Sequence, residues 1–359
     1  MKMALNKWLL SLLAILITQD NQHTNPSLSH SSSSLFSHAQ KFEPYALNGG
    51  LVSAVAGRDY VLLASDTRLT DGSGYEIHSR NHLSSRLWDC GNQAASSFAL
   101  KKEGLLNQDG SVSFPSRDAS SLNGNDECAV VHIPKAPTFV SSAGCASDCE
   151  ALKRQVRSEL QAHVWNAGGK TLHCSGIANV LGQTLYARRG FPFYSFCLLA
   201  GMQDVEGAKG QPSSQGLVHV YDAIGSFERV AVASTGSGKE MLQPILDRLF
   251  SSKRAPASVG SDVDSTVLVR DGNAIEASQQ RVGQSMKLSP PVQTCVDCSA
   301  QDAIGLLVKG YRAVSEREIG VGDFVVLLLV QRCQGEEKEN ELQKEGYNVK
   351  VMRFPLKKH

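Results

Sequence analysis

Short apolar runs and helical stripes divide the middle of the chain into strands and helices. Leu51–Ala56 is apolar with one polar interruption, and residues 60–64 form a continuous β-favouring run, so a hairpin is predicted around the turn at 57–59. Other apolar runs and periodic stripes predict the remaining elements. One predicted helix begins at Ser147 or Asp148, a second spans 177–187, a third begins after Gly238 and a fourth spans 300–316. The predicted strands are 137–144, 191–200, 217–222, 230–233 and 324–330.

The order of these elements favours antiparallel sheets over a parallel, doubly wound sheet, because strands and helices do not alternate regularly. Residues 324–330 are apolar at seven consecutive positions, which is typical of a strand buried on both faces. The sequence therefore predicts an α+β fold in which helices cover antiparallel sheets.

Serine-rich, glycine-rich and charged stretches indicate the domain organisation. Residues 18–41 are polar and serine-rich and lack periodicity, which is typical of disorder. Two stretches inside the domain are rich in small polar residues and are predicted to be surface insertions. The predicted parts are a disordered pro-segment or leader at 1–41, a domain at 42–335 with insertions at about 88–131 and 251–298, and a charged C-terminal tail at 336–359 in which residues from Tyr347 onward could add an edge strand.

Composition narrows the functional classes. Apolar residues make up 42% and charged residues 20% of the 359 residues, which allows a buried core. The net charge of +1 gives no electrostatic argument for binding nucleic acid or an anionic membrane. The nine cysteines are odd in number and irregularly spaced, so they are expected to be mostly reduced. Cys295 and Cys298 have CxxC spacing without a second half-site, so surface thiols are favoured over a metal site or redox pair.

An apolar run near the N-terminus allows two interpretations. Residues 8–17 follow Lys2 and Lys7, are too short to span a bilayer, and have the length of a signal-peptide core. No small-x-small cleavage site follows the run. The alternative is an apolar patch in a pro-segment, or a helix that rests on a partner.

Several motifs resemble the beta subunits of the proteasome. Gly50 precedes the first strand and Asp66-Thr-Arg closes the second, as at the start of those subunits. The stretch from Arg188 to Pro192 and the lead-in Phe42-x-Pro-Tyr are similar to the subunit at the sixth position of the beta ring (beta type-1), which is catalytically silent. The resemblance covers most of 42–330 apart from the two insertions. It implies a four-layer αββα sandwich, the N-terminal nucleophile hydrolase fold.

In catalytic members of this family the residue after the glycine is a threonine, whose hydroxyl is the nucleophile and whose freed α-amine is the base. Here that residue is Leu51, a hydrocarbon that cannot attack a carbonyl. The family's supporting aspartate corresponds to Asp66 and one supporting serine to Ser237. Its lysine corresponds to Arg86, which stays protonated, and its last serine is missing from the stretch Glu318–Gly322. The resemblance therefore implies no catalytic, cofactor-binding or metal-binding residue.

The two matching polar residues also have ordinary structural interpretations. An aspartate at the end of a strand usually accepts hydrogen bonds from nearby backbone N–H groups, and a serine before a helix usually caps it. An enzyme remains an alternative through Ser53, if processing cut the chain just before it and shifted the hairpin by two residues.

The resemblance implies a non-catalytic structural subunit of the 20S proteasome core, which builds the beta ring and lines the chamber for ATP- and ubiquitin-dependent protein degradation. The expected partners are the other beta and alpha subunits of a 28-subunit assembly, with no cofactor, nucleic acid or membrane, in the cytoplasm and nucleus. Asp204 is a candidate for the acidic residue with which the sixth subunit borders a neighbour's substrate pocket, and a turn aspartate is the equal alternative. The rival classes are a hydrolase acting through Ser53 and a diverged secreted protein with the same fold.

Overall fold

Two antiparallel sheets stacked face to face form the centre of the protein. The computed structural model describes residues 45–72, 76–114, 127–206, 212–251, 294–333 and 346–357. The strands are β1 (Leu51–Ala56), β2 (Tyr60–Asp66), β3 (Leu69–Thr70), β4 (Ile77–Ser79), β5 (Leu87–Asp89), β6 (Glu127–Ile133), β7 (Phe139–Gly144), β8 (Ser195–Glu206), β9 (Pro212–Tyr221), β10 (Phe227–Val230), β11 (Val232–Gly236), β12 (Phe324–Arg332) and β13 (Tyr347–Pro355). The helices are α1 (Ala94–Lys102), α2 (Ala146–Asn166), α3 (Cys174–Ala187), α4 (Lys239–Ser251) and α5 (Ala300–Ser315).

The first sheet has the strand order β11-β1-β2-β12-β13-β6, and the second has the order β10-β9-β8-β7-β5. All of their pairings are antiparallel. The short strands β3 and β4 pair separately.

Three buried clusters hold the layers together. One lies between the two sheets, a second lies between the first sheet and helices α4 and α5, and a third lies between the second sheet and helices α2 and α3. Alternate side chains of β12 face opposite sides of the first sheet. Val326 and Leu328 belong to the inter-sheet cluster, whereas Leu327 and Leu329 face the helices. The predicted four-layer αββα sandwich is confirmed, and β12 is buried on both faces as predicted.

The described part of the first predicted insertion is not a surface loop. It contains β5 at the edge of the second sheet, helix α1, and β6, which pairs with β13. Leu100, Leu105 and Val112 are buried in the cluster between the sheets. The prediction for 88–131 was wrong for these residues, because the apolar side chains there are few and irregularly spaced, yet Leu100, Leu105 and Val112 serve as buried anchors.

The C-terminal segment is also more central than predicted. Strand β13 lies between β12 and β6, inside the first sheet and not at its edge. Its side chains Val349 and Val351 are fully buried. The prediction of a charged tail with an edge strand was wrong for residues 347–355, because the partner strand β6 lies in a segment whose strand was not recognised.

Helix and strand ends differ from the predictions in detail. Helix α2 begins at Ala146 with Cys145 before it, so Ser147 and Asp148 lie inside the first turn and neither caps the helix. The Asp148 carboxylate instead accepts a hydrogen bond from Tyr194 N at 2.8 Å. Strand β8 begins at Ser195, and the first four residues of the predicted strand, 191–194, lie outside it.

The N-terminal apolar run, residues 8–17, and most of the second predicted insertion, 252–293, lie outside the described residues. None of the helices in the described ranges has the length and apolar character needed to cross a membrane.

Candidate functional site

The first residue of β1, Leu51, lies between two neighbouring strands at one end of the first sheet. It stands opposite Gly236 of β11, and its neighbour Val52 pairs with Ser65 of β2. The Leu51 side chain is fully buried in the cluster beneath helices α4 and α5. At the position where the family resemblance expects a nucleophile, the protein therefore has a core residue.

Asp66, at the end of β2, faces the start of β1. Its Oδ1 accepts a hydrogen bond from Leu51 N at 2.8 Å, so the predicted structural role, accepting from a nearby backbone N–H, is confirmed. Burial raises the pKa of the Asp66 carboxyl to about 6, against the opposing positive charge of Arg86 and the backbone hydrogen bonds. The carboxyl thus supports the main chain at position 51 and accepts further backbone hydrogen bonds from Arg68 and Gly322.

Arg86 fills the space next to the two glycines that precede Leu51. Its guanidinium donates to the carbonyl oxygens of Gly49 at 2.8 Å, Arg68 at 3.1 Å and Asn48 at 3.3 Å. A Cβ at Gly50 would overlap the guanidinium, and Gly50 has φ +95°. Glycine is needed there both for the left-handed backbone and for the close approach of Arg86.

Ser237 lies beside the same turn but does not cap the following helix. Ser237 N donates to the Gly50 carbonyl at 2.9 Å, and Ser237 Oγ approaches the same oxygen at 3.4 Å. Helix α4 begins at Lys239, and its first hydrogen bonds return to the Gly238 carbonyl. The predicted capping role of Ser237 was wrong, because the serine lies one residue too early and its groups meet Gly50.

A buried ion pair that the sequence reasoning missed ties β2 to the turn before β12. Arg68 Nε donates to Asp323 Oδ2 at 2.8 Å, and both side chains are fully buried. Arg80 reaches the other carboxylate oxygen at 2.6 Å. Burial alone would raise the pKa of Asp323, but the two guanidinium groups hold it below its usual range. The signal available in the sequence was the arginine that closes β2 together with an aspartate in a glycine-rich turn.

The segment before Leu51 covers the site from outside. Asn48 N donates to the Gly144 carbonyl at 3.1 Å, and Asn48 Oδ1 accepts from Ala146 N at 2.9 Å. On its other side, Asn48 Nδ2 donates to the Thr70 carbonyl at 3.0 Å. Tyr45 stacks on Phe191 and donates from Oη to the Pro192 carbonyl at 2.9 Å. Residues 45–50 are therefore bonded to both walls of the site.

Ser53, the alternative nucleophile, lies in the middle of the sheet. It pairs with Ala64 on β2 and with Ser234 on β11, and its side chain is fully buried. Its Oγ lies 3.2 Å from Tyr311 Oη, which also contacts the Leu51 and Ala64 carbonyls. The hydroxyl is therefore closed off from solvent, with Tyr311 of helix α5 packed against it.

Asp204 and the two CxxC cysteines lie away from this site. Asp204 is on β8, where its carboxylate accepts from Tyr347 Oη at 3.1 Å at the wall of a cavity of about 370 Å³. Its contact with a neighbour's pocket stays a prediction. Cys295 and Cys298 are not joined by a disulfide, and Cys298 Sγ lies 3.3 Å from Tyr60 Oη. Among the residues that the structure describes, no three His, Cys, Asp or Glu side chains are grouped so that they could hold a metal ion.

The structure thus brings together the positions that the resemblance singled out. Leu51, Asp66, Arg86 and Ser237 all surround the Gly49–Gly50 turn, and the glycine-rich turn before β12 closes the same site, since Gly320 packs against Gly49. A hydrogen-bonded frame is present, and at its centre is a leucine side chain.

Comparison with known proteins agrees with this arrangement. The family model for proteasome subunits matches residues 118–259. Proteasome subunit beta type-1 of Dictyostelium discoideum is 26% identical over 292 residues, which cover 81% of this chain and 86% of that protein. Proteasome subunit beta type-1-B of Carassius auratus is 30% identical over 213 residues, 59% of this chain and 66% of that protein. Proteasome subunit beta type-6 of Saccharomyces cerevisiae is 23% identical over 300 residues, 83% and 89% of the two chains. With its four-layer sandwich of the N-terminal nucleophile hydrolase type, the chain belongs to the proteasome beta-subunit family.

Proposed function

We propose that this chain is a non-catalytic beta subunit of the 20S proteasome core. In this role it completes the beta ring and forms part of the wall of the chamber in which neighbouring subunits hydrolyse peptide bonds. Its partners are the other beta and alpha subunits of a 28-subunit assembly that degrades proteins in the cytoplasm and nucleus.

The observation that carries the proposal is the buried hydrocarbon at the head of β1. The Leu51 side chain has no group that can attack a carbonyl, and its backbone nitrogen is an amide bonded to Asp66. The arginine at the lysine position binds three carbonyl oxygens and stays protonated, so it cannot accept a proton. The frame of a threonine peptidase site is kept without its nucleophile or its base.

The contacts of residues 45–50 support a second part of the proposal. We infer that residues 1–41 are a pro-segment and that the chain retains the segment from about residue 42 onward. The many hydrogen bonds of Asn48 and the stacking of Tyr45 would be lost if the chain were cut at Leu51. Since Leu51 has no hydroxyl, the chain cannot cut itself there.

The decisive experiment is gentle purification of the endogenous chain through a C-terminal tag, followed by mass spectrometry. We expect the other alpha and beta subunits in equal amounts and a mature N-terminus near Lys41. Recovery of the chain alone, or from the secretory pathway, would contradict the structural role. A mature N-terminus at Ser53 would instead support the alternative of a hydrolase that acts through Ser53.

A second experiment tests the absence of catalysis directly. The purified assembly is treated with a peptide electrophile that forms a covalent bond with a nucleophilic hydroxyl, and each subunit is analysed by mass spectrometry. We expect labelled neighbours and an unlabelled chain, and a label on any hydroxyl of this chain would overturn the proposal. Leu51→Thr alone should remain unlabelled, because Arg86 still replaces the family's supporting lysine and the nitrogen of residue 51 remains an amide.

A further inference from the structure

We propose that the cavity of about 370 Å³ beside Asp204 binds the C-terminal end of a short peptide. The inference is separate from the proposed function, because no residue of the cavity belongs to the frame around the Gly49–Gly50 turn. Protein degradation yields short peptides with free carboxylates, so the proposed function would supply such ligands. A chain that binds no peptide would still be able to fill a place in the ring, and the two proposals therefore fail separately.

Well-separated parts of the chain form the walls of the cavity. Asn92 and Gln93 come from the loop before helix α1, Lys135 and Thr138 come from the connection between β6 and β7, and other residues come from the α2–α3 loop. Strand β8 and the paired ends of β12 and β13 complete the lining. The volume lies in the range of about 300–1,000 Å³ that is typical of sites for small organic ligands.

Two positively charged side chains lie in the lining. Lys135 is exposed and Arg332 is half-buried, and within the described part of the chain neither forms an ion pair. The acidic residue of the lining, Asp204, already accepts a hydrogen bond from Tyr347 Oη at 3.1 Å. The lining therefore has an excess of positive charge, and a ligand carboxylate can pair with the lysine and with the planar fork of the arginine.

Helix α3 begins at the same wall and strengthens this preference. Its first residue, Cys174, and the preceding His173 both line the cavity. The first turn contains no acidic residue, and the His173 side chain makes no capping hydrogen bond. A helix N-terminus alone does not make a binding site, but its partial positive charge adds to that of Lys135 and Arg332.

A buried amide in the lining has hydrogen-bonding capacity to spare. Asn92 is 4% exposed, and its Oδ1 accepts from Thr138 N at 3.2 Å, which fixes the orientation of the side chain. Its Nδ2 has only long contacts, 3.4 Å to Thr138 Oγ1 and 3.5 Å to the Leu172 carbonyl. Since N–H···O bonds are usually about 2.9–3.0 Å long, a ligand carbonyl at normal distance is a better acceptor for this amide.

The rest of the lining suits a peptide better than an inorganic anion. Ala136, Leu172 and Met202 are half-buried and offer an apolar wall to a ligand side chain. Gln93 adds a second amide to that of Asn92, so the lining presents both donors and acceptors to a peptide backbone. Phosphate or sulfate would leave the apolar wall and the amide oxygens unused. A peptide with a free carboxylate and an apolar last side chain uses the cations, the amides and the apolar wall together.

The first test compares two peptides that differ in a single group. The purified full-length chain is titrated by isothermal calorimetry with N-acetyl-Ala-Ala-Leu, and then with the same peptide as its C-terminal amide. We expect one peptide per chain and at least about tenfold weaker binding of the amide, because the charge-assisted hydrogen bonds to Lys135 and Arg332 are lost. Binding of the free acid should also weaken as salt is added. Equal affinity for both peptides, or no binding of either at millimolar concentration, would overturn the proposal.

Variants that remove the charges locate the site. Lys135→Gln and Arg332→Gln should each weaken binding of the free acid at least about threefold, and the double variant should bind the acid and the amide equally. Arg154→Gln is the matched control, because the Arg154 side chain is 76% exposed on helix α2 and does not line the cavity. Binding of the amide reports whether each variant keeps the cavity intact, since it should change little. A preference for the free acid that survives in the double variant would contradict the site.

Discussion

The two ends of the six-stranded sheet differ in how far local sequence patterns reveal them. At the β11–β1 end, Asp66, Arg86 and Ser237 are all bonded around one glycine turn, while the central side chain is a leucine. At the β13–β6 end, both strands lie in segments whose sequences predicted a surface insertion and a tail. The comparison teaches that a hydrogen-bonded frame of this kind does not require a nucleophilic side chain at its centre.

The largest effect should come from breaking the buried ion pair near the glycine turn. Arg68→Met leaves Asp323 buried without its fully buried partner and should lower the free energy of unfolding by about 3–5 kcal/mol. Arg58→Met is the matched control, because the Arg58–Asp297 pair is more than half exposed on the arginine side and should contribute less than about 1 kcal/mol. Urea unfolding measures both, and equal losses would show that the buried pair is not special.

The second-largest loss of stability is expected in the segment that precedes β6. Leu100→Ala removes a fully buried side chain from helix α1 and should cost about 2–5 kcal/mol, since it leaves a cavity between the sheets. Phe98→Ala on the same helix is the control, because Phe98 is 70% exposed and its loss should be nearly neutral. If Leu100→Ala were as mild as Phe98→Ala, the segment would be a surface insertion after all.

Asp66 should make the β11–β1 end sensitive to pH. Its folded pKa of about 6 lies above the usual aspartate value of about 3.9, so the folded protein binds this proton more tightly than the unfolded chain. Its contribution to stability is therefore greatest below about pH 4 and falls as pH rises to about 6, by as much as about 3 kcal/mol.

Asp66→Asn removes this titration and keeps an oxygen acceptor for Leu51 N. The stability of the variant relative to the original chain should rise between about pH 4 and about pH 6 and then stay level. Denaturant unfolding of both proteins across this range isolates the Asp66 contribution from that of other titrating groups. A constant difference would show that the carboxyl is not perturbed by its burial.

The smallest effect distinguishes two serines that precede helices. Ser299 caps α5, because its Oγ accepts from Asp302 N at 3.1 Å, so Ser299→Ala should cost about 1 kcal/mol. Ser237→Ala should cost less than about 0.5 kcal/mol, since the backbone bond from Ser237 N to the Gly50 carbonyl remains. The reverse order in thermal unfolding would restore the capping role of Ser237.

The sequence predicted those elements of the fold that depend only on neighbouring residues. The bounds of β1 and the double burial of β12 follow from side chains within each strand, and the structure agrees with both predictions. The interior place of β13 could not be read from the sequence, because it depends on β6 more than two hundred residues earlier.

The residues of the functional site were likewise predicted only in part. Motif resemblance identified Leu51, Asp66, Arg86 and Ser237, and the structure brings them together. Asp323 was missed because its partner Arg68 is 255 residues away and no local spacing marks the pair. The capping role of Ser237 was assigned wrongly because a shift of one residue at a helix start changes which backbone groups a serine can reach.

The interior position of β13 has a consequence for how the chain is made. Among the strands that the structure describes, all others of the first sheet precede β13 along the chain, yet β13 alone joins β12 to β6. During synthesis, one side of β12 and one side of β6 must stay unpaired until residues 347–355 have left the ribosome. Exposed strand edges of this kind promote aggregation, so the nascent chain needs protection until its last strand is available.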